Sequence, residues 1–191
     1  MMPIIVSYHT PFHVYETCAR NLEDSLNKFE LRYEINCLPS EGDWYQNACQ
    51  KTTYIREMMD RHPEEDIIWL DADMVVLSYP HLFESVKADV ACPLWEKSRV
   101  MACAIYFKNT PKVRNFVDCL IETTYENAYH VQCDQYAFSL TLRKHQEISF
   151  EAWPESYSFI ERCGRDIPYV DGPPVILAET ISRTINRVIP E

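Results

Sequence analysis

Two acidic residues separated by one small residue follow an apolar segment, a pattern that suits binding of a divalent cation. The segment Ile67-Ile68-Trp69-Leu70 leads directly into Asp71-Ala72-Asp73. If the segment is a strand, alternation along the extended backbone places both carboxylates on the same side. Neighbouring carboxylates repel unless a cation lies between them, and oxygen ligands with open positions suit Mg²⁺ or Mn²⁺ bound to phosphates. Asp71 and Asp73 are therefore predicted metal ligands; the alternative is a turn with an Asx cap.

The glycine content limits how this chain could bind a nucleotide. Only three glycines occur, Gly42, Gly164 and Gly172. Neither the dinucleotide fingerprint GxGxxG nor the P-loop GxxxxGK[ST] can be written with them. A nucleotide would need its phosphates neutralised by other means, and a metal held by carboxylates is the candidate.

Length and charge indicate one globular domain that does not bind nucleic acid. The chain has 191 residues, 47% of them hydrophobic, which predicts a single domain over residues 1–191. Eighteen basic against 29 acidic residues give a net charge of −11, which argues against phosphate-backbone binding and against docking on anionic membranes. The eight cysteines are scattered without a CxxC pair, which favours reduced thiols and a cytoplasmic location. No apolar run is long enough for stable membrane insertion.

Short apolar runs alternate with segments of helical period, a pattern typical of an α/β domain with a mostly parallel central sheet flanked by helices. The predicted strands are 3–7, 31–37, 66–70, 89–93 and 100–107, with extended chain at 174–177. The predicted helices are 14–29, 44–61, 113–125 and a segment from about 135 to 142. The strand that ends at Leu70 would deliver Asp71 to the carboxyl edge of the sheet, where ligands bind in such folds.

Several motifs, in register over nearly the whole chain, resemble the GT-A-type nucleotide-diphospho-sugar transferases of bacteria and viruses. The motifs are the opening strand Pro3 to Thr10, Gly42, Trp44, Asn47 and Lys51 in a GxWxxNxxxK pattern, Trp69 to Asp73, Ile105 to Thr110, Asp134-Gln135 and Ser182-Arg183. The resemblance implies a single GT-A-like (Rossmann-like) domain. It also implies transfer of a sugar from a nucleotide-diphosphate donor, UDP-linked rather than GDP-linked, to a saccharide or other hydroxyl acceptor, with Mn²⁺ or Mg²⁺ as cofactor.

Carried over position by position, the resemblance implies roles for particular residues. Asp73 would bind the cation, and Asp71 would share it or contact the ribose. Lys51 would reach a phosphate or ribose, although a lysine on a helix face is often simply solvated. Asp134 would act as general base or clamp the acceptor hydroxyl; its alternative role is the amino cap of the following helix. The full set of implied donor-binding residues is Ser7, Tyr8, Thr10, Lys51, Asp71, Ala72, Asp73, Gln135 and Arg183.

Two departures from the family pattern keep other functions open. Ala178 stands where the family places a metal-binding histidine, and Ala102-Cys103-Ala104 replaces a small SGT turn beside the donor sugar. A catalytically silent nucleotide-sugar-binding module is therefore one alternative. A metal-dependent phosphohydrolase or nucleotidyltransferase that uses the same acids is another.

Other potentially reactive residues have less specific patterns. His9 and His13 are four apart, but Pro11 between them argues against a shared helix and a zinc site. Cys49 and Cys133 could lie near the site, yet no base is placed beside either. The aromatic residues Tyr125, Tyr129, Trp153, Tyr157 and Phe159 fit either the core or an acceptor platform.

Overall fold

The computed structural model describes residues 2–95, 99–129, 133–160 and 173–178. Its main sheet has seven strands: β1 (Ile4–His9), β2 (Tyr33–Cys37), β3 (Ile67–Leu70), β5 (Val90–Trp95), β6 (Arg99–Val100), β7 (Ala104–Phe107) and β8 (Phe150–Trp153). The strand order is β2-β1-β3-β7-β5-β6, with β8 also paired to β5. Strands β2, β1, β3, β5 and β8 run in one direction, and β7 and β6 run against them. The predicted α/β class with a mostly parallel sheet is confirmed.

Four α-helices within the described ranges flank the sheet, and their boundaries follow from local sequence. They are α1 (His13–Lys28), α2 (Trp44–Arg61), α3 (Pro111–Glu126) and α4 (Cys133–Lys144). Asp43 and Gln46 form a reciprocal capping box at the start of α2. Thr110 caps α3 through its side-chain oxygen and Pro111 occupies the first turn, where its missing N–H costs nothing.

The central strands β3 and β7 are buried on both faces. Val6 and Trp69 pack against α2, α3 and α4 on one face, while Ile5 and Ile68 pack against α1 on the other. Burial on both faces explains why the segment 67–70 is apolar at every position instead of alternating.

A small second sheet covers part of the α1 face. It consists of β4 (Met74–Val76), β9 (Phe159–Ile160) and β10 (Ile176–Ala178), in the order β4-β10-β9. Strand β10 is antiparallel to β4, and Ala178 pairs with Met74. The residue next in sequence to Asp73 is therefore held beside Ala178.

The structure also differs from the sequence prediction at several boundaries. The predicted strand 100–107 is two strands, β6 and β7, because a turn intervenes at 101–103. The backbone groups of that turn bind elsewhere: Met101 N–H donates to the Pro93 carbonyl, and the Cys103 carbonyl accepts from Asp71 N–H. Strands β4, β8 and β9 were not predicted.

No helix in the described part of the chain is long and apolar enough to cross a membrane.

Gly42, which precedes the capping box of α2, is expected to resist substitution. Its φ of +131° is one that residues with a side chain rarely adopt, and an added Cβ would lie 2.2 Å from Oε1 of Gln46. We expect Gly42→Ala to lower the free energy of unfolding by about 1–2 kcal/mol, through backbone strain and loss of the cap. Urea unfolding measures this, with Gln46→Ala as the matched variant that loses only the bond from Asp43 N–H to the Gln46 side chain and unfolds at an intermediate midpoint. A wild-type midpoint for Gly42→Ala would contradict the prediction.

Candidate active site

A cavity of about 510 Å³ opens at the carboxyl edge of β1 and β3. Its walls come from the segment after β1, the first turns of α2, the segment after β3, and the start of α4. The lining residues are Tyr8, His9, Thr10, Phe12, His13, Val14, Tyr15, Gly42, Trp44, Asn47, Ala48, Lys51, Trp69, Asp71, Ala72, Asp73 and Asp134. Adjacent parallel strands place their carboxyl ends together, which is why ligand sites form at this edge.

Asp71 and Asp73 lie on the wall of this cavity with Ala72 between them. The chain turns directly after β3, and Met74 N–H donates to the Asp71 carbonyl at 3.0 Å. The Asp71 carboxylate does not simply cap that turn, because its Oδ1 accepts from the Trp69 indole N–H at 2.7 Å and lies 2.8 Å from Lys51 Nζ. Both acids therefore face the space where a ligand would bind.

Lys51 is the buried cation of the site. Its ammonium lies 2.8 Å from Asp71 Oδ1 and 2.5 Å from Asp134 Oδ2, and its side chain is only 8% exposed. Burial alone would lower the pKa of Lys51, but Asp134 and Asp71 outweigh it and hold that pKa well above its usual range. Lys51 is therefore charged in the folded protein and is not the solvated lysine of the alternative interpretation.

Asp134 reaches the cavity from the beginning of α4. It is the second residue of that helix, so it is not the residue that precedes and caps it. Its side chain is 16% exposed and faces Lys51. Its neighbour Gln135 is half-buried and lies outside the cavity lining.

The three residues predicted to contact a nucleoside differ in accessibility. Tyr8 and Thr10 line the cavity, whereas the Ser7 side chain is fully buried on the opposite side of β1. The Tyr8 hydroxyl donates to the Asn47 carbonyl, and burial raises the pKa of Tyr8. Ser7 can offer a ligand only backbone groups. Arg183, the remaining predicted donor-binding residue, lies outside the described residues.

Sequence reasoning missed several residues that line the cavity. His9 ends β1 and His13 begins α1, so the two are not on one helix, as Pro11 indicated. Both nevertheless line the cavity, together with the exposed rings of Phe12 and Trp44. The signal that could have identified them is their position: each lies within a few residues of a strand's carboxyl end or a helix start.

The aromatic residues left open by the sequence separate into two groups. Trp153 and Tyr157 are buried in the core, whereas Tyr125 and Tyr129 are exposed. The ring centroid of Tyr129 lies 6.1 Å from that of Tyr45, and the Tyr45 ring in turn contacts Trp44 at the cavity. Phe159 is partly buried.

The two departures from the family pattern lie close to the acids. Ala178 is packed in the core beside Met74 and has no group that could bind a metal. The Ala102 carbonyl accepts from Lys51 Nζ at 3.1 Å. Cys103 shares a hydrogen bond with Ser158, and burial raises the pKa of its thiol to about 12, so it is not a nucleophile.

Asp71 and Asp73 offer oxygen donors of the kind that a hard divalent cation prefers, and such a cation would take the rest of its coordination from water and substrate. Among the described residues, no group of three or more His, Cys, Asp and Glu side chains is placed to hold a metal ion. Asp73 and the second oxygen of Asp71 would be the protein ligands. Mg²⁺ is commonly bound in this way, through one or two carboxylates together with waters and substrate phosphates.

The chain matches known proteins in structure but not in sequence. No family model matches the chain, and no curated protein matches it in sequence. A glycosyltransferase involved in the glycosylation of the major capsid of PBCV-1 superposes with a TM-score of 0.66 at 10% identity, over 96% of this chain and 97% of that one. Mouse xyloside xylosyltransferase 1 superposes with a TM-score of 0.60 at 14% identity, over 98% and 99% of the two chains.

The chain has a glycosyltransferase fold. The glycosyltransferase GlyE of Streptococcus pneumoniae TIGR4 agrees, with a TM-score of 0.65 at 16% identity over 93% of this chain. The present chain spans about half the GlyE chain, 54% of its length. The superpositions establish the glycosyltransferase fold. Because the identities are this low, donor, acceptor and cation have to be argued from the cavity itself.

Proposed function

We propose that this protein is a divalent-metal-dependent glycosyltransferase that moves a sugar from a nucleotide-diphosphate donor, a UDP-sugar, to a saccharide or other hydroxyl acceptor. One observation carries the proposal: Asp71, Asp73 and Asp134 line the same cavity at the carboxyl edge of the sheet. Two of these acids suit the diphosphate side of the reaction, and the third comes from a different element. The fold shared with glycosyltransferases supports the same conclusion.

The cavity residues divide the work of the reaction. Asp73 and the second oxygen of Asp71 would hold Mg²⁺ or Mn²⁺, which would supply Lewis-acid stabilisation of the departing diphosphate. Tyr8 and Thr10 would border the nucleoside. Asp134 would accept the proton of the acceptor hydroxyl or hold that hydroxyl in position.

Calorimetry with UDP-sugars and Mn²⁺, combined with an assay of UDP release, tests this proposal. We expect binding of at least one UDP-sugar to require the cation, and UDP release to rise when a hydroxyl acceptor is added. The absence of binding for all UDP- and GDP-sugars would refute the proposal. Consumption of nucleotides that carry no sugar would instead favour a phosphohydrolase or nucleotidyltransferase.

A silent nucleotide-sugar-binding module is the second candidate, and the buried Ala178 favours it. The family's histidine position offers no ligand here, so the cation has fewer protein ligands than the family pattern implies. In the same experiment, this candidate predicts cation-dependent binding of a UDP-sugar with no release of UDP under any acceptor.

A further inference from the structure

Lys51 has an acceptor for every N–H group of its ammonium. A lysine ammonium carries three donors. Here they meet Asp71 Oδ1 at 2.8 Å, Asp134 Oδ2 at 2.5 Å and the Ala102 carbonyl at 3.1 Å. The Trp69 ring, with its centroid 5.4 Å from Nζ, adds a cation–π contact.

A donor phosphate could bind Lys51 only by displacing one of these partners. Displacement of Asp71 or Asp134, whose side chains are 31% and 16% exposed, would separate a carboxylate from its counterion. Displacement of the Ala102 carbonyl would break a hydrogen bond to a buried residue. Breaking a buried ion pair is strongly unfavourable because it leaves a charge without its counterion. The geometry therefore does not favour the role in phosphate binding that sequence resemblance implies.

The three acceptors of Lys51 belong to segments far apart in the chain. Asp71 follows β3, Ala102 lies in the turn between β6 and β7, and Asp134 is in the first turn of α4. Lys51 itself is in the second turn of α2, a helix that packs against both α3 and α4. One ammonium thus fixes the distance between an acid on the diphosphate side of the cavity and the acid on α4.

We propose that Lys51 is a positioning residue: its ammonium holds Asp134 in place relative to Asp71 and does not contact the donor. The expected effect of Lys51 on rate rests on the proposed transferase function, whereas its ion pairs with Asp71 and Asp134 do not depend on that function. Lys51 also balances part of the charge of Asp71 and Asp134.

Steady-state kinetics of Lys51→Met and Lys51→Arg test the positioning role. Methionine keeps the length of the side chain without charge, so we expect kcat to fall about tenfold or more while the donor KM changes less than about threefold. Arginine can still bridge two carboxylates and should recover part of kcat. A tenfold higher donor KM at unchanged kcat would overturn the proposal, because that is the signature of a lost binding contact.

A crystal structure with UDP and Mn²⁺ supplies the direct geometric test. We expect Lys51 Nζ to remain within about 3.2 Å of both Asp71 and Asp134. A direct contact between Nζ and a donor oxygen, in place of any of the three acceptors, would overturn the proposal.

A double-mutant cycle tests the ion pair without any substrate. Lys51→Met and Asp134→Asn should couple by about tenfold or more in the unfolding equilibrium constant, because Lys51→Met alone leaves the Asp134 carboxylate without its counterion, whereas the double variant has no carboxylate at position 134. The matched cycle pairs Lys51→Met with Asp24→Asn, an exposed aspartate on α1, and should be additive. If wild-type protein binds no nucleotide sugar, the proposed function fails, while additivity in the Lys51–Asp134 cycle would refute the positioning role separately.

Discussion

Replacement of Asp73 by asparagine is expected to lower the rate of sugar transfer by about a hundredfold or more, the scale for loss of one charge-stabilising group. Asparagine keeps the size of the side chain and an oxygen, but it lacks the negative charge that makes a carboxylate a strong ligand for a hard cation. Asp73 lines the cavity beside Asp71, whose Oδ1 is already bound by Lys51 and Trp69. Asp73 should therefore carry most of the protein's share of cation binding.

Two measurements on the Asp73→Asn variant separate this effect from damage to the fold. Calorimetric titration with Mn²⁺ and UDP should show weakened cation-dependent binding, and urea unfolding should give a midpoint close to that of wild type. Asp24→Asn, which removes the same charge from the exposed face of α1, should leave both binding and transfer unchanged. If Asp73→Asn retains its transfer rate and its dependence on Mn²⁺, the assignment of the cation site is wrong.

Most of the fold could be predicted because its local signals and its packing agree. Helix α2 begins and ends where its sequence indicates, since Asp43 and Gln46 form a capping box and Pro63 follows the last turn. The prediction of one strand over 100–107 was wrong because local sequence and tertiary contacts disagree there. The residues of this segment are apolar throughout, so nothing local marks the turn at 101–103, which is set by hydrogen bonds to Pro93 and Asp71.

In the candidate site, too, residues marked by local sequence could be predicted, and contacts made by long-range packing could not. Asp71 and Asp73 could be placed at a cavity because a dry strand delivers them to the carboxyl edge of the sheet. The partnership of Lys51 with Asp134 could not be predicted, because 83 positions separate the two residues and only the packing of α2 against α4 brings them together. A buried ion pair between distant elements leaves no periodic signal in the sequence. For this reason the sequence leaves Lys51 either as a ligand of a phosphate or ribose, which the family resemblance implies, or as a solvated lysine.

Asp134→Asn is expected to lower kcat for sugar transfer by about a hundredfold or more, within the range for loss of a general base. The asparagine oxygen can still accept a hydrogen bond from Lys51, so the packing of α4 against α2 should be largely retained. It cannot accept a proton from an acceptor hydroxyl. Binding of UDP and Mn²⁺ should change less than about threefold, because removing a negative charge from this side of the cavity does not remove a contact to the diphosphate.

Rapid-quench measurement of transfer, together with calorimetry of UDP binding, distinguishes this outcome from a lost donor contact. Asp118→Asn, an aspartate 53% exposed on α3, is the matched control and should transfer sugar at the wild-type rate. The two acids should thus fail differently: Asp73→Asn in cation-dependent binding, Asp134→Asn in turnover with binding intact. Were Asp134→Asn to keep its turnover and lose UDP affinity instead, the acid on α4 would belong to the donor side of the cavity, and the acceptor hydroxyl would need another partner.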